Sequence, residues 1–481
     1  MSAYYADSAA SRIRTGSLAA IEFGETMTSD TTATTDSNPE DKDLLKSNMR
    51  KVSLTALAGA SIEWYDFFIY ATAAALVFPA AFFPDSSPTM GLILSFGTFA
   101  FGFIARPVGG ILFGHFGDRV GRKRTLVIAL VLMGVASTLI GLLPTYATIG
   151  IAAPILLSLL RFAQGLAIGG QWGGAMLLVT ESAPSNKRGY YGAFAQAGAP
   201  VGVILANLAF IIISATVSEE FFMQWGWRIP FISSVVLIGI SMYVQLHMED
   251  TTAFKELAAT RARKEAENPT AVVIKRSPVL EAIIKYPKRI ALAAGAFLSI
   301  QVTFYILIGF VLAYGSDPNG AAMSRDNMLI AVLIASALQI PSQFLAASYS
   351  DRHGRRGIFM LGAIFTGVSG FLLFPLIDTG NFWLIVVGIS AGLMSLGMMY
   401  GPQAAFFTEL FSTEVRYSGA SLGYQVGAIV GGAFAPTIAT ILWKSYDIFW
   451  VSVYIAIASV LSLISVAMLT ETFKTDLNAT D

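Results

Sequence analysis

The charges between this chain's hydrophobic blocks change sign from one connection to the next, and that alternation constrains the fold more than any single motif. After the second, fourth, eighth and tenth blocks come Arg119, Arg122, Lys123 and Arg124, then Lys187 and Arg188, then Arg352, Arg355 and Arg356, then Arg416. After the first, fifth and ninth come Asp85, Glu219 with Glu220, and Asp378, and the connection after the third has no charge. Membrane proteins keep Lys and Arg on the cytoplasmic side. The pattern therefore predicts a many-pass membrane protein with its even-numbered connections in the cytoplasm.

The blocks cover approximately 54–82, 89–113, 124–143, 150–178, 189–213, 228–247, 290–314, 326–347, 358–377, 382–408, 418–440 and 447–469. Most reach the roughly 20 apolar residues that a helix needs to cross a bilayer. Their Leu, Ile, Ala, Phe and Gly content lacks the alternation of barrel strands. The expected fold is thus an all-α membrane protein of twelve transmembrane helices. Charged residues are 13% of the chain, against about 25% in soluble proteins, so lipid is the simpler solvent for the apolar blocks. The expected organisation is a disordered cytoplasmic tail at 1–50, a six-helix half at 51–247, a cytoplasmic linker at 248–289, a second six-helix half at 290–470 and a cytoplasmic tail at 471–481. The segment 248–289 carries nine Lys/Arg and six Asp/Glu.

Several function classes drop out. Net charge is zero, which leaves no nucleic-acid footprint at the level of the whole chain. Cysteine is absent, excluding disulfides and thiolate metal sites. His115, His247 and His353 sit at cytoplasmic ends without metal-ligand spacing. The Gly165–Gly170 run lacks the Lys-Ser/Thr of a phosphate loop, so its glycines serve close helix packing. No enzyme activity, metal or cofactor is expected.

The two halves repeat one another. Gly114-His115-Phe116-Gly117-Asp118-Arg119-Val120-Gly121-Arg122-Lys123 aligns with Ala347-Ser348-Tyr349-Ser350-Asp351-Arg352-His353-Gly354-Arg355-Arg356, and Glu181 with Arg188 matches Glu409 with Arg416 at the same spacing. An acid and arginine forks beside a turn glycine can lock helix ends and release them as the halves rock. Gly114, Asp118, Arg119, Gly121, Arg122, Glu181, Arg188, Asp351, Arg352, Arg355, Glu409 and Arg416 are therefore gating candidates. Snorkelling to the interface is the structural alternative for any one arginine.

These loops resemble the signature of the major facilitator superfamily, as does Arg161-Phe162-Ala163-Gln164-Gly165-Leu166-Ala167-Ile168-Gly169-Gly170. Glu63-Trp64-Tyr65-Asp66-Phe67-Phe68, Ala105-Arg106-Pro107-Val108-Gly109-Gly110, Trp172-Gly173-Gly174-Ala175 and Glu181-Ser182-Ala183-Pro184 narrow the resemblance to its metabolite:proton symporter branch, over about residues 52–470. It implies import of solutes such as shikimate, 2-oxoglutarate, citrate, proline or betaines with protons. Ala347 replaces the leading glycine of the second loop, and Gln171 stands where similar relatives carry Glu.

Ionisable groups inside blocks mark candidate sites. Asp66 and Glu63, three apart on one helix, are proton-coupling candidates, with structural pairing to arginine as the alternative. Arg161, with Gln164, Gln171 and Trp172 on or beside one stripe, is a substrate-binding or gating cation, or else a fixed partner of those acids. Arg106 reads as a gate or scaffold charge. Tyr65 and Tyr70, with Trp64, are cavity-lining substrate-binding candidates, with anchoring at the membrane interface the alternative; Gln301, Tyr305, Gln339, Tyr400, Gln403, Tyr424 and Gln425 are further ones, with interhelical hydrogen bonding the ordinary alternative. The expected function is proton-coupled import of a small organic carboxylate by alternating access. The alternatives are import of a zwitterion such as proline or betaine, and a nontransporting receptor. The expected setting is a bacterial inner membrane with both termini cytoplasmic; partners are the solute, protons and the bilayer, with no nucleic acid, and the chain is expected to act as a monomer.

Overall fold

The computed structural model describes residues 39–120, 122–169, 176, 179–180, 182–247, 278–318, 320–412 and 415–474, without the side chains at 39–48, 114–126, 241, 244–247, 278–279 and 417. The chain divides into Met1–Leu45 and a compact unit Lys46–Asp481. All contacts below lie within the latter.

Helices account for nearly all of the described backbone, as lipid requires, because it offers no partner for a free N–H or C=O. They are α1 (Pro39–Leu76), α2 (Pro88–Val120), α3 (Arg122–Leu142), α4 (Ala152–Gly169), α5 (Arg188–Thr216) and α6 (Arg228–His247). A short helix, Pro278–Lys285, precedes α7, which runs Pro287–Tyr305, a π-helical Ile306–Phe310 and Val311–Ser316. Then come α8 (Arg325–His353), α9 (Arg355–Asp378) and α10 (Phe382–Glu409). The last two are α11 (Arg416–Gly427, π-helical Ala428–Ala433, Ala435–Ser445) and α12 (Phe449–Met468).

Among the described residues, nine helices are long and apolar enough to cross a membrane, and a tenth if Glu219–Gly226 and Arg228–Ile240, bent by 48°, form one span. Twelve were expected. Among the residues with described side chains the apolar stretch of α3 is Val127–Leu142, while α1 has length but carries Glu63 and Asp66 in its apolar part. Outward faces are apolar, as with Val368 and Leu372 on α9 and Ile457, Val460 and Ile464 on α12. A hydrocarbon environment accommodates such a belt.

Element boundaries differ from expectation where polar sequence still favours a helix. α1 begins at Pro39, inside the stretch read as a tail, because proline suits the first helical position. Pro278–Lys285 is helical inside the stretch read as a linker. Arg289 beyond it donates to Leu410 O at 2.9 Å. Residues 248–277 lie outside the described set.

The first and second halves of the sequence meet along α5 and α8, which run antiparallel. At one end Asp351 accepts from the N–H groups of Gly189 and Tyr190, each at 2.8 Å. Further along, Gln343 Nε2 donates to Ala193 O at 3.3 Å and Asn207 Nδ2 to Leu329 O at 3.5 Å. At the other end Ser214 donates to Asp326 Oδ1 at 3.0 Å, and Arg325 binds both Ser214 and Glu219. Gln196 on α5 also reaches Gln403 Oε1 on α10 at 2.8 Å. This seam is closed along its length.

Candidate functional site: a buried charge network beside a small central cavity

Close approach of α2 to α4 creates the site. An added Cβ at Gly165 would stand 2.8 Å from Ala105 Cβ, at Gly169 2.7 Å from Arg106 C, and at Gly109 2.7 Å from Leu166 Cα. Only glycine permits that spacing. It seats two guanidinium groups, Arg106 and Arg161, among the phenylalanines of α1 and α2, both fully buried.

Arg161 Cζ lies 4.1 Å from the ring centres of Phe67 and Tyr70 and 4.8 Å from Phe99. Its NH1 donates to Gln164 Oε1 at 3.0 Å, one helical turn along the same face. Gln164 Nε2 in turn donates to Ser137 Oγ at 2.6 Å and to Asp66 Oδ2 at 3.3 Å. The Ser137 hydroxyl is bonded to Asp66 Oδ2. Ser234 also faces this carboxyl but gives its hydroxyl to Pro230 O at 3.3 Å, and Asp66 Oδ1 is buried without a hydrogen bond. The chain Arg161–Gln164–Ser137–Asp66 thus ends in an open acceptor on an acid.

Next to it, Trp64, Ala199, Ile300, Gln301, Phe304, Tyr305, Leu396 and Tyr400 enclose a cavity with room for about one water molecule. Its walls come from α1, α5, α7 and α10. Backbone irregularities lie against it: the π-helical turn of α7 begins directly after Tyr305. The Gly431–Gly432 pair in the π-helical part of α11 would clash, if given side chains, with Gln301 Cβ at 3.0 Å and Tyr305 Cε2 at 2.9 Å. Interrupted helices often occur at functional sites. Polar atoms around this region are buried and unsatisfied: Gln301 Nε2, the Tyr305 hydroxyl, both amide atoms of Gln339, Gln403 Nε2 and Gln425 Oε1. Such groups are uncommon in a native interior, and a polar solute between the halves can satisfy them.

The structure sorts the expected residues. Asp66, Arg161 and Gln164 form one network; Gln301, Tyr305 and Tyr400 line the cavity, and Tyr424 neighbours Tyr400. Tyr65, expected in a cavity wall, instead joins α1 to α6 through Pro230 O at 3.1 Å and Ser233 at 3.2 Å. Tyr70 stacks under Arg161 and donates to Thr98 at 2.6 Å. Glu63 is only half-buried, whereas Asp66 is enclosed. Arg106, read as a gate or scaffold charge, is buried beside Phe67 and Phe103. Ser137 was not foreseen; a lone hydroxyl in an apolar helix commonly bonds its own backbone, as this one also does to Met133 O. The side chains of Gln171, Trp172, Gly114, Asp118, Arg119, Gly121, Arg122 and Glu181 lie outside the described set.

In the second half, Arg355 NH1 contacts Asp351 Oδ1 at 2.6 Å, while its Nε and NH2 reach Glu409 at 3.3 and 3.1 Å. Glu471 accepts from the N–H groups of Arg355 and Arg356 at 2.8 and 3.0 Å, capping α9 from the stretch read as a tail. Thr472 donates to Glu409 at 2.7 Å. Gly354, at φ 102°, makes the turn that admits Glu471. Arg188 and Arg416 are buried near the same helix ends, whereas Arg352 is exposed.

Helices from both halves of the sequence enclose a small, largely apolar cavity and carry charge clusters at their ends, an arrangement that fits a solute transport protein, and its relatives make it one rather than an enzyme. Residues 51–479 match the sugar (and other) transporter family model. The chain is 42% identical over 430 residues to the inner membrane metabolite transport protein YhjE of Escherichia coli, covering 88% of this chain and 94% of that one. It is 40% identical over 425 residues to the shikimate transporter of the same organism, covering 87% and 93%. The fold matches the xylose transporter XylE from E. coli with a TM-score of 0.67 at 17% identity, over 90% of this chain and 100% of that one. The chain belongs to the sugar (and other) transporter family, and is a major facilitator superfamily transporter related to the metabolite:proton symporter branch.

Proposed function

We propose that this protein imports a small organic carboxylate together with protons by alternating access, as a multi-pass protein of a bacterial inner membrane. The single observation that carries this reading is the buried Asp66–Ser137–Gln164–Arg161 chain beside the cavity. Protonation at the open Oδ1 removes the charge that Ser137 and Gln164 stabilise. Gln164 is then free to turn, and Arg161 loses its only described side-chain acceptor. Proton occupancy thereby changes how the region around a buried cation is held, which is what symport demands.

Twelve spans in two halves, 51–247 and 290–470, fit this mechanism, with 248–289 joining them on the cytoplasmic side and both termini in the cytoplasm. The charge bias of the connections supports that orientation. In it, the Asp351 cluster forms the inner gate and the Arg325 cluster the outer one. The similarity to a shikimate transporter supports a carboxylate solute.

Uptake into sealed proteoliposomes tests the reading, with shikimate, 2-oxoglutarate, citrate, proline and betaine offered under an inward proton gradient. An organic acid should accumulate above equilibrium and discharge with an uncoupler. Gradient-independent equilibration would make the protein a uniporter. Uptake of proline or betaine alone would replace the carboxylate with a zwitterion.

A further inference from the structure

Arg106 is the buried cation that the coupling chain leaves unused. Its Cζ lies 4.6 Å from the Phe67 ring centre, 4.3 Å from Phe103 and 5.8 Å from Trp64, a cavity-wall residue. Its Nε and NH2 are buried with no hydrogen-bond partner. Those two nitrogens form one edge of the guanidinium, the edge whose parallel N–H groups match the two oxygens of a carboxylate. The Tyr305 hydroxyl lies against Arg106, close enough to accept from its guanidinium, and no well-aligned hydrogen bond satisfies it.

Arg161 has the same two nitrogens unpaired, but its surroundings differ. The α2 backbone at Gly102 covers that edge so closely that a Cβ there would stand 2.7 Å from Arg161 Nε. Phe67, Tyr70 and Phe99 stack on its guanidinium, and NH1 is committed to Gln164. Arg106 instead adjoins Trp64 and Tyr305, two walls of the cavity.

We propose that Arg106, with Tyr305 as a second donor, is the carboxylate anchor of the transported solute, while Arg161 serves the proton-coupling chain. This rests on the carboxylate reading above. The solute's two oxygens take Nε–H and one NH2 hydrogen side by side, and the Tyr305 hydroxyl donates to one of them. Trp64 and Tyr305 shift to admit it as the halves part. Lysine cannot present this edge, so charge alone does not substitute.

The test is thermal stabilisation of purified full-length protein by shikimate, benzoate and 2-oxoglutarate, with the methyl esters of the first two as controls. At least one acid should stabilise the wild type and its uncharged counterpart should not; 2-oxoglutarate is compared with its dimethyl ester. R106K should weaken acid binding about 10- to 100-fold without changing the response to the controls, and Y305F should weaken it less. R161K should keep acid binding while losing the dependence of uptake on the proton gradient. Wild-type affinity in R106K overturns the proposal, as does a wild type that no acid stabilises. If R106K does not fold, Y305F decides: an unchanged preference for acid over control overturns the assignment. Acid binding without proton-driven accumulation sinks the symport reading and leaves the anchor standing. Uptake of proline or betaine with no acid binding sinks the anchor and leaves import standing.

Discussion

Asp351 at the end of α8 holds Gly189 at the start of α5 through a charged hydrogen bond of 2.8 Å, and a second N–H from Tyr190 completes the clasp. A carboxylate facing a helix N-terminus is favoured by the dipole as well as by the bonds. Arg355, 2.6 Å from the same Oδ1, fixes the acid in place. Hydrogen bonds to a charged group contribute about 1.5–3 kcal/mol. D351N should therefore shift the equilibrium away from this closed seam by at least about tenfold. Ala347 is buried beneath Gly189, so a cysteine placed there reports on opening. In the D351N background it should react faster with a water-soluble maleimide; equal rates in both backgrounds would remove the gating role.

Asp66 supplies the second prediction. D66N keeps the volume and can still bond Ser137 and Gln164, but it no longer exchanges a proton. Solute exchange between loaded vesicles and medium should persist while accumulation driven by the proton gradient disappears. Loss of both would make Asp66 a structural or solute-binding group, and retention of both would place coupling elsewhere.

The α2–α4 contact predicts a stability effect confined to glycine. At Gly165 the added methyl group of alanine meets Ala105 Cβ and the Gly102 backbone, neither of which can rotate away. Overpacking of this kind costs about 1–3 kcal/mol. G165A should lower the unfolding temperature of the purified protein and, by displacing Gly102 from beneath Arg161, impair transport too. G97A, at a position with open space around its Cβ direction, is the matched control and should leave both unchanged.

How far the sequence discloses this molecule depends on the range of each interaction. Membrane helices are legible because lipid imposes length and apolarity locally, and the second-half cluster of Asp351, Arg355 and Glu409 is legible because the sequence repeats it. The π-helical turns at Ile306–Phe310 and Ala428–Ala433 are not legible, since they arise where α7 and α11 pack around Tyr305 and Gln301. Nor is the difference between Tyr65, which binds α6, and Tyr305, which lines the cavity: both are tyrosines in apolar helices, and only the neighbour decides. Phe99 and Phe103, one turn apart and just before Arg106, were a readable sign that this arginine stacks on aromatic rings. Glu471 lay beyond the last hydrophobic block, and nothing in its local sequence points to the N-terminus of α9.

The opposite end of the α5–α8 seam separates closure from stability. Arg325 spans Glu219 at 2.8 Å and Ser214 at 2.8 Å and lies over the Phe222 ring at 4.0 Å. Glu219 is 69% exposed, and exposed ion pairs contribute about 0–1 kcal/mol. E219Q should thus change the unfolding temperature little. Movement, however, must break the neighbouring bond between Ser214 and Asp326 at 3.0 Å if the halves part there in every cycle. The chain has no native cysteine, so in the S214C/D326C double variant the intended pair is the sole intramolecular crosslink available. Oxidation should abolish uptake and reduction should restore it, with each single variant insensitive to oxidant. Full uptake by the crosslinked protein would mean that α5 and α8 stay joined at this end throughout transport.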